Sequence, residues 1–181
     1  LTRVGALYHD IGKIQKPNFF SENQMGSISP HDELSPEESV KIIISHVTNG
    51  ITLGKKNKLP DRIVDFIRTH HGTSKVYFFY KKQIELNPNS DFKKFAYPGP
   101  KPFSKETSIV MMADAIEAAS KSLKEPSFEI LNEFVHKIIN QQMDEGQFIN
   151  SNITFSEIEM VKKVLIKKLV NIYQLRIEYP S

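Results

Sequence analysis

The run Ser35-Pro36-Glu37-Glu38-Ser39-Val40-Lys41-Ile42-Ile43-Ile44-Ser45-His46-Val47 decides the fold class. Ser35 can cap a helix, Pro36 suits the first helical turn with its fixed φ, and Glu38 can reach back to the backbone N–H of the cap. Val40, Ile42, Ile43, Ile44 and Val47 follow, so the run predicts a helix, and that helix carries His46. Outward from it the same punctuation recurs. Pro60-Asp61 opens a segment through Ile63, Val64, Phe66 and Ile67 that Gly72 is placed to end, which puts the doublet His70-His71 at a helix terminus. Leu1 to Tyr8 reads as the middle of a helix with no capping residue before it, as expected of an excised fragment. Strand-type alternation is scarce, and the expected fold is all-α.

Further along, Lys75 to Leu86 is expected to be helical, although Val76-Tyr77-Phe78-Phe79-Tyr80 has β-propensity. From Asn87 to Lys105 the chain turns to Pro, Asn, Ser and Lys, and Tyr97-Pro98-Gly99-Pro100-Lys101-Pro102 forces extended backbone. Helices are expected at about Glu106 to Lys124 and Phe128 to Glu145, with Gly146 as a stop. The capping box Thr154-Phe155-Ser156-Glu157 announces a last, amphipathic helix with Ile158, Val161, Leu165, Leu169 and Ile172 on its apolar face and Lys162, Lys163, Lys167 and Lys168 largely off it.

With 181 residues and 39% hydrophobic content, one sizeable core and one domain over 1–181 are expected. A net charge of +3, with lysines spread along the chain, lacks the footprint that long nucleic acid demands. There is no cysteine, which excludes disulfides, zinc ribbons and thiol catalysis and suits a reducing cytosolic setting. No apolar stretch is long enough to cross a bilayer, and no signal-peptide pattern opens the chain.

Chemistry is carried by residues scattered along the sequence: His9-Asp10, His46, His70-His71 and Asp114. Asp114 stands among Ile109, Val110, Met111, Met112, Ala113, Ala115 and Ile116, where a carboxylate is costly to bury unless it is paired or bound to metal. Imidazole and carboxylate without thiolate suit Mn, Fe, Zn or Co. Several imidazoles and a carboxylate able to bridge are what a two-metal phosphohydrolase needs to clamp both oxygens of a displacement. His136 sits in a surface-like helix outside this set, and His31 is read as a loop-ordering hydrogen-bond partner. Lys13, about one helical turn past Asp10, can aim its ammonium at a phosphate on the same side. The Pro-rich loop is a stiff connector or one wall of a ligand pocket, with Tyr97 available for stacking.

His9-Asp10-Ile11-Gly12-Lys13, His46, His70-His71-Gly72 and Asp114 resemble the HD-domain metal-dependent phosphohydrolases. The segments Lys16-Pro17-Asn18-Phe19-Phe20-Ser21-Glu22-Asn23-Gln24, His46-Val47-Thr48-Asn49-Gly50 and Tyr97 to Pro102 are similar to the cytoplasmic catalytic domain of the seven-transmembrane HD phosphodiesterases. That resemblance, which runs over essentially the whole chain, implies a helical bundle around a dinuclear iron or manganese site. It implies hydrolysis of cyclic di-AMP to pApA through a hydroxide bridging the metals. It further implies a cyclic dinucleotide as partner, an upstream transmembrane region in the parent protein, and a cytoplasmic location. Carried over, His9, Asp10 and Asp114 bind one metal with Asp10 bridging, and His46, His70 and His71 bind the second. A further ligand histidine of the family pattern lies upstream of residue 1, so 1–181 is expected to be an HD domain truncated on its N-terminal side.

Within the same chemistry, an enzyme acting on cyclic di-GMP, a deoxynucleotide or RNA is the nearest alternative. The cyclic di-GMP class is expected to show Gly-Tyr-Pro after its doublet, whereas Gly72-Thr73-Ser74-Lys75 stands here. A silent cyclic-dinucleotide sensor is the alternative from another class, and the intact His9, Asp10, His46, His70, His71 and Asp114 argue against it.

Overall fold

Helix caps legible in the sequence are used as written. In the computed structural model, which describes residues 1–24 and 29–173, seven α-helices are joined by short 3-10 turns. The end of the expected 1–181 domain, residues 174–181, lies outside the described residues. They divide into two compact units, Leu1–Lys101 and Pro102–Ser181.

The first unit holds α1 (Thr2–Tyr8), α2 (Pro36–Lys56), α3 (Asp61–Thr69) and α4 (Tyr77–Leu86). Ser35 caps α2 through the N–H of Glu38, and the Glu38 carboxylate returns to the Ser35 N–H at 2.9 Å. Two otherwise orphaned donors are thereby satisfied at once. Thr69 ends α3, His70 is its C-cap, and Gly72 turns the chain away at φ 50°. Only a residue without Cβ takes that angle at no steric cost.

Lys75 is not helical, contrary to expectation. It forms an isolated antiparallel bridge with Ala96, flanked by Val76 N–H donating to the Phe95 carbonyl and Tyr97 N–H to that of Ser74. These bonds tie down the Pro-rich segment, which contains a 3-10 turn at Phe92–Phe95 and buries Phe95 and Tyr97. Phe95 joins Val40 and Phe79 in a small core between α2, α4 and that turn.

A second constraint lies where the chain passes from α1 into the 3-10 turn Ile11–Gln15. There the backbone of Gly12 lies directly against the His46 carbonyl and the Gly50 amide of α2. A Cβ on Gly12 would overlap both, and backbone cannot swing aside as a side-chain tip can.

The second unit holds α5 (Lys105–Ser120), α6 (Phe128–Asp144) and α7 (Phe155–Ile172) around Met111, Met112, Ile116, Leu131, Val135, Ile139, Ile158, Ile166 and Leu169. Here the apolar face expected of α7 is corrected. Ile172 is 71% exposed and Lys162 is 3% exposed, its ammonium donating to Asn140 Oδ1 at 2.7 Å and Glu159 Oε1 at 2.6 Å. A buried cation is tolerable because both acceptors replace its water.

Gly12→Ala is expected to destabilise the chain by at least about 2 kcal/mol, because it forces α2 away from the residue 11–15 turn. Urea denaturation followed by circular dichroism, beside the wild-type chain, checks this.

Candidate metal centre

Three histidines are set by the same local device. His9 Nδ1 lies 2.8 Å from the Ala6 carbonyl, His46 Nδ1 2.5 Å from that of Ile43, and His70 Nδ1 2.8 Å from that of Ile67. A carbonyl oxygen only accepts, so each Nδ1 carries the hydrogen and donates, and in each neutral ring the lone pair is left on Nε2. Each acceptor sits three residues back on the same helix or its end. Rotamer and tautomer are thus fixed by the backbone itself.

Those lone pairs converge on Asp10. Its Oδ1 lies 3.3 Å from His46 Nε2 and 3.5 Å from His70 Nε2, while its Oδ2 lies 3.3 Å from His9 Nε2 and 2.6 Å from Lys13 Nζ. His46 Nε2 and His70 Nε2 are themselves 3.0 Å apart. Asp10, His46, His70 and His71 each offer a ligand atom, all within 4.8 Å of one another. Buried Oδ1 has no hydrogen-bond partner. Electron pairs from two imidazoles and a carboxylate that face one another so closely repel unless a cation stands among them. The donor set, nitrogen and oxygen without sulfur, fits a divalent metal ion.

Electrostatics agree with that fit. Burial alone would raise the Asp10 carboxyl, but the His70 and His9 rings, whenever they carry a second proton, and the charge of Lys13 outweigh it and hold the group far below the usual carboxylate range. Burial, with the charge of His70 next, pushes His46 down to about 4 and His71 well below its ordinary value. Imidazoles kept neutral in this way are ready to act as ligands. Burial opposes the charge of Lys13, and Asp10 and Glu22 overcome it and raise its pKa.

The Tyr97 ring stacks on His71 with centroids 4.1 Å apart and is 7% exposed. His31 behaves as expected, its Nε2 donating to the Phe19 carbonyl at 2.9 Å. Asp114 lies half-buried on α5, in the second unit. Glu22, 2.6 Å from Lys13 Nζ, was not singled out from the sequence, where the two stand nine positions apart.

A family model described as HD domain matches residues 1–119. The chain belongs to the HD domain family. Among the relatives of this HD chain is the cyclic-di-AMP phosphodiesterase PgpH of Bacillus subtilis (strain 168), 45% identical over 181 residues, all of this chain and 26% of that protein. The enzyme of the same name from Listeria monocytogenes is 43% identical, again over all of this chain and 25% of its own length. The chain therefore spans about a quarter of the length of these two curated relatives. Its fold is similar to the crystal structure of the L. monocytogenes PgpH HD domain in complex with cyclic-di-AMP. The TM-score is 0.92 and the identity 42%, covering 95% of this chain and 80% of that one.

The low value of His46 sets a pH dependence in the metal-free chain. Folded, His46 stays neutral down to about 4, whereas unfolded it takes a proton near 6.5. Between those values the unfolded state binds more protons, so stability is fully present above the window and falls as pH is lowered through it. Urea midpoints measured in chelator at pH 7.5 and pH 5 are expected to drop with acidification in the wild type, and to drop less in His46→Gln.

Proposed function

We propose that this chain is the catalytic HD domain of a phosphodiesterase that hydrolyses cyclic di-AMP to pApA, using two divalent transition metals, iron or manganese. The observation that carries the reading is the division of the Asp10 carboxylate, with Oδ1 toward His46 and His70 and Oδ2 toward His9 and Lys13. A carboxylate so placed suits a bridge between two cations. Support for the substrate comes from the two PgpH relatives and from the bound cyclic-di-AMP named for the Listeria HD domain.

In this reading His46, His70 and His71 hold one metal, and His9 with Asp114 holds the other, with Asp10 between them. Cations bound there supply Lewis acidity at phosphoryl oxygen and lower the pKa of water. The chain's own part is to present neutral, pre-oriented imidazoles, which Ala6, Ile43 and Ile67 secure through their carbonyls for His9, His46 and His70. Tyr97 backs His71 at the edge of the pocket. Lys13 places a full positive charge where a nonbridging phosphate oxygen gains negative charge as the 3′-oxygen departs. In the whole protein we place a membrane-spanning region upstream and this domain on the cytoplasmic side. No helix among the described residues is itself long and apolar enough to cross a membrane. We take 1–181 as one HD domain whose ligand set is completed by a histidine further upstream.

Turnover of cyclic di-AMP beside cyclic di-GMP, with manganese added and the protein extended upstream, tests the reading. The expected result is preference for cyclic di-AMP and a loss of about a hundredfold or more in kcat/KM for Asp10→Ala. Equal rates on both substrates that ignore the Asp10 substitution would remove it.

A further inference from the structure

Lys13 is gripped from two sides by carboxylates of different kinds. Its Nζ lies 2.6 Å from Asp10 Oδ2, in the ligand set, and 2.6 Å from Glu22 Oε1, on the 3-10 turn Ser21–Asn23. The Phe20 ring, two positions before Glu22 in sequence, lies 5.1 Å from the same nitrogen and meets the His46 ring edge-on at 5.6 Å between centroids. Residues 20–22 thus form a clamp on the ammonium, with Phe20 itself buried at 7% exposure.

The two carboxylates cannot do the same work. Asp10 is within reach of three imidazole nitrogens, so a cation bound among them shares its charge and weakens its hold on Lys13. Among the described residues, Glu22 belongs to no group of converging metal-ligating side chains. Its pull on the ammonium therefore persists when the site is loaded. A lysine stem of four methylenes has many rotamers, and a charge that must meet one phosphate oxygen gains from being held in place beforehand.

We propose that Glu22 is a positioning residue that holds the Lys13 ammonium against the reacting phosphodiester while touching neither substrate nor metal. This rests on the function proposed above, in which Lys13 contacts phosphate. The substrate class it serves is a phosphodiester, monoanionic at each phosphate, bound with its phosphorus beside Asp10.

The test uses manganese-loaded protein carrying Glu22→Gln, Glu22→Ala, Lys13→Met and the Glu22→Ala/Lys13→Met pair. Each Glu22 variant is expected to lose roughly tenfold in kcat/KM on cyclic di-AMP, with wild-type metal content and thermal midpoint. The pair is expected to be no worse than Lys13→Met alone, because Glu22 acts only through Lys13. A readout independent of turnover is the slowly exchanging ammonium signal of Lys13 in nitrogen-15 spectra, expected in the wild type and lost in Glu22→Ala. Unchanged kinetics in an active protein, losses that add in the double variant, or a fall in metal content or melting temperature would each overturn the proposal. Should the wild type fail to hydrolyse cyclic di-AMP, the functional reading falls by itself. The Lys13 signal then decides this one, and its persistence in Glu22→Ala overturns it.

Discussion

Everything about the first unit follows from bringing lone pairs together. Two imidazole nitrogens 3.0 Å apart, each within 3.5 Å of one carboxylate oxygen, are stable neighbours only around positive charge. A divalent cation held among them would supply it. A site of this kind is expensive to assemble, so the fold must hold it by force from outside. That force comes from backbone. Carbonyls three residues back turn the rings of His9, His46 and His70, and Gly12 lets the loop carrying Asp10 lie against α2 beside the His46 carbonyl. A side chain at position 12 would separate Asp10 from His46, and the convergence would be lost without any ligand being changed.

Much of this was legible in the sequence because it depends on local rules. Ser35 and Glu38 form their capping box, Thr154 and Glu157 form theirs, and Gly72 sits in the left-handed conformation just past the His70-His71 doublet. Each is a decision made by residues within one turn of one another. The ligands of the first unit were legible for another reason: histidines and a lone Asp-His pair placed beside helix punctuation have few structural uses in such numbers.

What was not legible depends on contacts between distant segments. Lys75 follows helix propensity less than it follows the partner strand at Ala96, which no local rule announces. Tyr97 stacks on His71, a contact that only the fold puts in place. In α7 the apolar residues chosen from sequence, Ile158, Val161, Leu165, Leu169 and Ile172, lie on a stripe rotated by roughly 70° from the one the protein buries. The buried stripe runs through Ile158, Lys162, Ile166, Leu169 and Val170. Lysine at its centre hides the true face from any reading based on hydrophobicity. It can be there because Asn140 on α6 and Glu159 one turn earlier meet its ammonium.

The same principle separates Lys162 from Lys13. Lys162 is itself buried and donates to Asn140 and Glu159, so its charge is structural, a polar pin between α6 and α7. Lys13 retains 21% side-chain exposure and is held by carboxylates on either hand, one of which belongs to a group whose charge changes when cations bind. A lysine in that position answers to the state of the metal centre. Were cations bound beside Asp10, its carboxylate would be shared with them and Glu22 would remain to hold the ammonium. Placing one carboxylate inside the group of converging side chains and one outside it therefore gives Lys13 a fixed address that does not depend on Asp10 alone, which a single salt bridge could not do.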